Sequence, residues 1–340
     1  TAGSAEMFLS FSPLPLDAGA LYESLDRYPY GCTEQTVSRA MPLLYADDLA
    51  AIAGIASDRE IRSRVQDAVS TILNRQGMDG AIGLWRMGDG NASPWIGAYA
   101  TDFLARAKAA GYEVPDDALE RAYKALGFVA EQKQLWNVAY DYDVYRAPWN
   151  DDTVEKLKGR SAAYAAYVLA RAGEIDASRL RFLHDQGFKT IESPLARAQI
   201  GAALALIGDR ARAGSAFDKA MDTKGYENNG NYYQTPRRDL AGMLALASEA
   251  GLDDVVVALT EDVVSDMPEP DRMSTQEKAF LLLAADALSG GAREASVSPR
   301  GNVRKIAANQ SFAISDDMID KDEPQSFINN GDGVLYLTAM

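Results

Sequence analysis

The stretch AYATDFLARA at positions 98–107 returns as AYAAYVLARA at positions 163–172. Its Leu-Ala core recurs at 204–205, 246–247 and 283–284, and successive core leucines are 65, 35, 42 and 37 residues apart. Periods of roughly 35 to 45 residues are typical of stacked helix pairs. The alanines give each helix a face of small side chains, which lets neighbouring helices pack closely. We therefore expect repeated helix pairs, and the 65-residue step is long enough to hold one more unit.

The helical pattern extends outward from these copies over the whole of 17–290. Proline and glycine interrupt it at intervals that suit short turns between helices: Pro94, Pro115, Gly173, Pro194, Gly208, Pro236, Gly251 and Pro268. This spacing predicts about twelve helices. An open solenoid would need polar capping repeats at its ends, and the sequence contains no clear pair of them. An all-α fold in the form of a closed α/α toroid is therefore the expected architecture.

The two ends of the chain show short apolar runs in place of the helical period. Residues 1–16 contain MFLSFSPLP, which predicts a short strand stopped by prolines, and 291–340 contain SFAI and VLYL. We interpret 1–16 and 291–340 as β segments of one flanking domain, into which the helical domain 17–290 is inserted. The start TAGS has neither an initiator Met nor an apolar signal core, so we expect a piece of a longer chain.

The composition argues against several classes of function. The 340 residues carry a formal net charge of −15, which disfavours nucleic-acid binding. No run of about 18 apolar residues predicts a membrane-spanning helix. Cys32 and His184 are the single residues of their types, so an internal disulfide and a Cys/His zinc site are impossible. We predict no metal and no cofactor, and we assign His184 no role.

The stretch with the clearest chemistry is YPYGCTEQ at 28–35, which precedes a helical pattern. A turn at Pro29 and Gly31 puts Cys32 at the N-cap of that helix and Gln35 at position N3, the spacing of a capping box. Attack of the thiol on the Gln35 carboxamide, with loss of ammonia, would form an internal thioester, favoured by the high effective molarity of neighbouring groups. The free N–H groups of a helix start predict a lowered thiol pKa. Cys-x-x-Gln is common by chance, and an inert buried cysteine is the alternative.

The same stretch resembles the thioester motif of the α2-macroglobulin and complement family. PYGCTEQ at 29–35 matches the family pattern Pro-Tyr-Gly-Cys-Gly-Glu-Gln except at Thr33. The bacterial branch of the family admits other residues at the position of Thr33, and this sequence is similar to that branch also at Tyr28 and at 38–42. Further likenesses lie at Asp79-Gly80, Trp85, 95–99 and 274–277. The resemblance therefore covers about residues 17–290.

This resemblance implies a thioester domain, built as an α/α toroid and inserted in a CUB-like β domain, in a protease trap. In the family, cleavage of a bait region elsewhere in the chain exposes the thioester, which then couples covalently to the attacking protease. Carried over, Cys32 is the leaving thiolate and Gln35 is the acyl donor. The supporting motif residues are Tyr28, Pro29, Tyr30, Gly31 and Glu34. The expected protein is an inhibitor and not an enzyme, and its partners are attacking proteases and the other domains of the parent chain.

The resemblance also implies a location and a preferred nucleophile. We expect the periplasm or cell envelope of a bacterium, with any membrane anchor in a part of the parent chain outside this sequence. Complement relatives carry a histidine, before a later toroid helix, that favours transfer to hydroxyl groups. The corresponding stretch here, 140–152, contains none, so we expect capture through lysine amines. Tyr28 and Tyr30 flank the thiol in sequence and are the aromatic residues expected to shield it.

Two other functions remain open at this point. A toroid enzyme, such as a glycosidase or a prenyl or terpene transferase, would need paired carboxylates or an Asp-rich metal motif facing the central cavity. The helical region 17–290 has no Asp-Asp-x-x-Asp motif, but the sequence does not reveal which carboxylates meet in space. A helical-repeat scaffold with an inert Cys32 is the other alternative.

Overall fold

The structure of the chain, a computed structural model, describes most of the helical region and the strands at both ends. The described residues are 7–12, 17–45, 57–89, 93–131, 151–189, 191–223, 233–265, 267–289, 294–297, 304–307, 311–314, 327–329 and 336–339.

Twelve α-helices lie within these residues, the number that the proline and glycine spacing predicts. They are α1 (Ala18–Asp26), α2 (Thr33–Ala40), α3 (Asp58–Leu73), α4 (Pro94–Ala109), α5 (Asp116–Ala130), α6 (Asp151–Ala172), α7 (Ala177–Asp185), α8 (Pro194–Leu206), α9 (Arg210–Met221), α10 (Pro236–Glu249), α11 (Asp253–Val264) and α12 (Thr275–Ser289). Short 3-10 helices lie at Pro42–Tyr45, Gly187–Lys189 and Pro270–Arg272.

The even-numbered helices form a closed ring. Helix α2 packs on α4, α4 on α6, α6 on α8, α8 on α10 and α10 on α12, and α12 returns to α2. The odd-numbered helices pack against this ring without taking part in it. The helical region is therefore a toroid-like array with no open ends, as predicted, and an open solenoid is excluded.

The repeated leucines lie on successive ring helices. Leu104 of α4, Leu169 of α6, Leu204 of α8 and Leu246 of α10 are buried, and Leu283 of α12 is half-buried against the same core. The repeat interpretation is confirmed in this respect. The suggestion of an extra unit in the 65-residue step is wrong for the ring, because α4 and α6 pack directly against each other. Residues 132–150 of that step lie outside the described residues.

The helix boundaries follow ordinary capping chemistry. Proline occupies the first turn of α4, α8 and α10, where its missing N–H costs nothing. Helices α4, α6, α8 and α10 are each followed by a glycine at positive φ, a conformation that other residues adopt with strain. These glycines are Gly111, Gly173, Gly208 and Gly251. Among the described residues, no helix has both the length and the apolarity needed to cross a bilayer.

Strands lie at both ends of the chain, as short β segments were predicted there. They are β1 (Met7–Ser12), β2 (Glu294–Val297), β3 (Arg304–Ala307), β4 (Ser311–Ile314), β5 (Phe327–Asn329) and β6 (Tyr336–Ala339). Two three-stranded antiparallel sheets form, in the orders β4-β1-β6 and β3-β2-β5. Leu9 of β1 pairs with Phe312 on one side and Ala339 on the other. The two ends of the chain therefore share one sheet.

Candidate functional site

Cys32 and Gln35 are held together at the start of α2. Cys32 is the N-cap residue, with extended backbone angles, and Gln35 is at N3. The backbone N–H of Cys32 donates to Oε1 of Gln35 at 3.0 Å, while the Cys32 side chain faces the backbone N–H of Gln35. The two side chains thus occupy the capping-box arrangement that their spacing predicts. Cys32 is 4% exposed.

The residues before the thiol form an exposed loop. Tyr28 and Tyr30 pack edge-to-face with ring centroids 5.9 Å apart, and Tyr30 is 61% exposed. Arg39 donates to the Tyr28 carbonyl at 3.4 Å. In this structure the two tyrosine side chains face solvent, so the shielding role expected of them stays a prediction.

An arginine that sequence reasoning missed braces this loop. The Arg75 guanidinium donates to the Gly31 carbonyl at 2.8 Å and to Oγ1 of Thr33 at 3.1 Å. Thr33 is tied to the facing segment as well, because its N–H donates to the Leu84 carbonyl and its hydroxyl to the Gly83 carbonyl. The residues on either side of Cys32 are therefore fixed by a segment about 50 positions later.

The facing segment is itself a tight turn. The Asp89 carboxylate accepts from the consecutive backbone N–H groups of Leu84, Trp85 and Arg86 at 2.6–3.2 Å. A Cβ at Gly83 would lie 1.9 Å from the Arg86 carbonyl oxygen, so the turn requires glycine there. The predicted Trp85 lies in this turn with its side chain exposed. The turn supplies the two carbonyl groups that hold Thr33.

Glu34 joins three of the stretches that the sequence analysis singled out. Its Oε1 accepts from Ser38 at 2.7 Å, from Thr275 at 2.9 Å and from Gln276 at 3.1 Å. The Ser38 hydroxyl is also 3.1 Å from that of Tyr99. Segments 28–42, 95–99 and 274–277 therefore meet along α2, although they are far apart in sequence.

Burial changes the acid–base properties of both motif groups. Desolvation is the largest influence on Cys32 and raises the pKa of its thiol, although the hydrogen bond from the Gln35 backbone opposes it. The expectation of a lowered thiol pKa is therefore wrong here, because loss of water outweighs the helix N-terminus. Desolvation likewise raises the pKa of Glu34 against the three hydrogen bonds that it accepts.

The central cavity of the ring holds a second polar cluster. It has a volume of about 320 Å³, and Asp102, Arg106, Tyr167 and Glu249 line it. Arg106 donates to Asp102 at 2.9 Å, to Glu249 at 3.1 Å and to Tyr167 at 2.9 Å. Burial opposes ionisation of Asp102, but the charges of Arg106 and Arg171 hold its pKa below the ordinary value. A glycosidase needs one carboxylic acid with a raised pKa, and Asp102 does not provide it.

The remaining predictions from the sequence concern residues away from the start of α2. His184 is buried on α7, where its ring nitrogen lies 2.6 Å from the adjacent Asp185 carboxylate, and no contact links it to Cys32. Of the stretch 140–152, residues 140–150 lie outside the described part of the chain. Within the described residues, no cluster of three or more His, Cys, Asp or Glu side chains could hold a metal ion.

No family model matches the chain. Among curated proteins, the α2-macroglobulin of Escherichia coli (strain K12) is 33% identical over 290 residues, which cover 82% of this chain. The chain belongs to the α2-macroglobulin family. The α2-macroglobulin of Xylella fastidiosa (strain Temecula1) is 30% identical over 251 residues, or 72% of this chain. The chain spans 17% and 14% of the lengths of these two relatives.

Solved α2-macroglobulin structures share the fold. A native Escherichia coli α2-macroglobulin fragment matches with a TM-score of 0.75 and 28% identity, over 98% of this chain and 52% of the other. Salmonella α2-macroglobulin reacted with methylamine matches with a TM-score of 0.72 and 29% identity, over 98% of this chain and 21% of the other. Trypsin-activated Escherichia coli α2-macroglobulin matches with a TM-score of 0.67 and 29% identity, over 98% of this chain and 22% of the other. The likeness therefore includes the strands at both ends as well as the ring.

Proposed function

We propose that the chain is the thioester domain of a bacterial α2-macroglobulin-like protease inhibitor. In this proposal Sγ of Cys32 and the side-chain acyl carbon of Gln35 form an internal thioester. The observation that carries it is the capping box, in which the thiol and the carboxamide are neighbours at a helix start. The methylamine reaction of the Salmonella relative supports the same chemistry.

The geometry suits thioester formation. Sγ of Cys32 adds to the Gln35 acyl carbon, the bond from that carbon to nitrogen breaks, and ammonia leaves with the thiol proton. The Cys32 backbone N–H already donates to Oε1 of Gln35, the atom on which negative charge develops during the addition. Because both groups belong to one turn of helix, the step also gains the effective molarity of an intramolecular reaction.

Capture of a protease would follow when the thioester meets a lysine amine. The neutral amine attacks the Gln35 acyl carbon, an amide forms, and Cys32 leaves as a thiolate that takes up a proton. Burial raises the pKa of this thiol and so makes it a poorer leaving group while it is covered. A shape change after bait cleavage elsewhere in the parent chain would expose Cys32 and make the thiolate easier to expel. Each chain reacts once, so the protein is an inhibitor and not an enzyme.

The flanking strands support the proposed domain arrangement. Because β1 pairs with β4 and β6, both ends of the chain contribute to one sheet. This is what we expect of a CUB-like domain, made of 1–16 and 291–340, that holds a helical domain at 17–290. The proposed location is the bacterial periplasm or cell envelope, where the parent chain would meet foreign proteases.

Intact mass and thiol titration test the thioester. Loss of ammonia makes the protein about 17 Da lighter than its sequence mass. Methylamine should then add to Gln35 and release one titratable thiol, and glycerol should react far more slowly because a hydroxyl needs a general base. Cys32→Ala and Gln35→Glu should abolish the mass loss and the amine reaction, whereas Gln186→Glu, at an exposed position, should leave both unchanged. A full-mass protein whose thiol titrates before any amine is added would contradict the proposal.

A further inference from the structure

A groove lies beside the start of α2, between α1, α2 and α3. It has a volume of about 390 Å³, and Ala40, Leu43 and Ala68 give it an apolar floor. Thr36 and Arg39 line it from α2, and Asp67 from α3. Gly31, directly before the thiol, belongs to its wall.

The groove is on the same side of α2 as the reactive pair. Cys32, Gln35, Thr36 and Arg39 are spaced i, i+3, i+4 and i+7, and residues with this spacing share one helix face. Side chains of a helix lean toward its N-terminus, so Thr36 and Arg39 lean toward the turn that holds Cys32 and Gln35. A ligand in the groove would therefore lie next to the proposed thioester.

One charged group of the groove is left for a ligand. Tyr22 is 1% exposed, and its buried hydroxyl faces the Arg64 guanidinium, so it is not open to a ligand. Arg64 also pairs with Asp26 at 3.0 Å. The Asp67 carboxylate makes no hydrogen bond or ion pair with any described residue, and Asp67 is exposed. The groove thus combines an apolar floor with an exposed carboxylate that has no partner among the described residues.

We propose that this groove receives the lysine side chain of the captured protease before that lysine attacks the thioester. The inference rests on the proposed function and adds an acceptor subsite to it. The aliphatic stem of lysine would lie on Ala40, Leu43 and Ala68, and Asp67 would attract its ammonium group. A chain of net charge −15 already favours approach by a cationic side chain.

The subsite also assists loss of the proton. Arg39 is one helical turn from Gln35, and a nearby guanidinium disfavours an ammonium group, so the amine becomes neutral as it leaves Asp67 for Gln35. The proton passes to solvent. The amine nitrogen then bonds to the Gln35 acyl carbon, the carbon–sulfur bond breaks, and the Cys32 thiolate takes up a proton.

The test compares a lysine analogue with a small nucleophile that carries no charge at neutral pH. Thiol release from the thioester-containing protein is followed against the concentration of Nα-acetyl-lysine methylamide and, separately, of hydroxylamine. Asp67→Asn should raise the half-saturating concentration of the lysine analogue about threefold to fivefold, the size of one solvated ion pair. The hydroxylamine rate should not change. Asp67→Glu should restore the preference, and Asp218→Asn, at an exposed site on α9, is the matched control.

Thr71→Lys provides a second variant, because Thr71 also lines the groove and an added cation there should repel the lysine analogue. Equal rate changes for both nucleophiles in Asp67→Asn, or no change for either, would overturn the acceptor subsite and leave the thioester intact. Failure of hydroxylamine to release a thiol from the unsubstituted protein would overturn the proposed function, and this inference with it.

Discussion

Two buried carboxylates of this chain have opposite acid–base behaviour. Glu34, at the start of α2, and Asp102, on α4, are 1% and 3% exposed. Glu34 accepts only from neutral groups, and its pKa is raised. Asp102 accepts from two arginines, and its pKa is lowered. Burial acts on both in the same direction, so the neighbouring cations decide the sign of the shift.

This difference distinguishes an ionic cluster in the central cavity from a network of neutral groups around Glu34. In the central cavity, Arg106 pairs with Asp102 of its own helix and links α4 to α6 through Tyr167 and to α10 through Glu249. At the start of α2, hydroxyl and amide groups join α2 to α12 through Glu34. The ionic cluster holds the ring together, whereas the neutral network holds one helix end in place.

The largest effect should come from removing the central cation. Arg106→Met leaves the buried Asp102 with Arg171 alone and the exposed Glu249 without its arginine, and we expect a loss of about 3 kcal/mol in the free energy of unfolding, the lower end of what breaking a buried ion pair costs. Urea denaturation followed by circular dichroism measures it. Arg27→Met, which removes an exposed arginine paired with Glu23, is the control and should cost less than about 1 kcal/mol. Similar losses in both variants would show that the central ion cluster does not stabilise the ring.

A smaller effect is expected in the network around Glu34. Glu34→Ala leaves the Thr275 and Gln276 donors without an acceptor, and we expect a loss of about 1–3 kcal/mol in the free energy of unfolding. Glu34→Gln keeps a carbonyl oxygen at the same place and should lose less than half as much. Thermal and urea melts of the two variants measure the difference. If Glu34→Gln were as damaging as Glu34→Ala, a charged Glu34 would be required and the network around it would not be neutral.

The smallest effect is expected in how the free energy of unfolding depends on pH, where Asp102 and Glu34 should act in opposite directions. The folded pKa of Asp102 is below its ordinary 3.8, so its stabilisation is present above pH 3.8 and is lost as the pH falls through the folded value. The folded pKa of Glu34 is above 4.5, so its stabilisation is present below pH 4.5 and is lost as the pH rises through the folded value.

With rising pH, Asp102→Asn should therefore lose stability relative to the unsubstituted chain, and Glu34→Gln should gain it. Urea titrations of the three proteins between pH 3 and pH 7 give the two differences. Parallel curves for both variants would remove the distinction between the two carboxylates.

The sequence predicted those features that depend on local periodicity. The recurring AYA…LARA pattern marks ring helices, because small and apolar residues must face their neighbours at every turn. The Cys32 and Gln35 spacing predicted their arrangement, because a capping box depends only on four consecutive residues. Both follow from interactions within one helix or one repeat.

Features that depend on distant partners could not be predicted in this way. The Arg75 brace and the Glu34 contacts with 275–276 join residues more than 40 and 240 positions apart. The raised thiol pKa depends on the burial that such contacts create, so reasoning from the helix N-terminus alone gave the wrong sign. The most useful signal was the short motif at 274–277, in which Thr275 and Gln276 donate to Glu34.

The sheet that joins both ends of the chain also constrains the order of folding. Leu9 pairs with Phe312, a contact that spans about 300 residues, and closing so long a loop from an unfolded chain is entropically costly. Apart from the closing contact of α12 with α2, the ring helices contact partners much closer in sequence and can assemble first. Once they have done so, the two ends of the chain lie near each other, and the remaining entropic cost of pairing β1 with β4 and β6 is small. Strand β1 is therefore made first and paired last, and until β4 and β6 arrive it remains an open edge that is prone to aggregation.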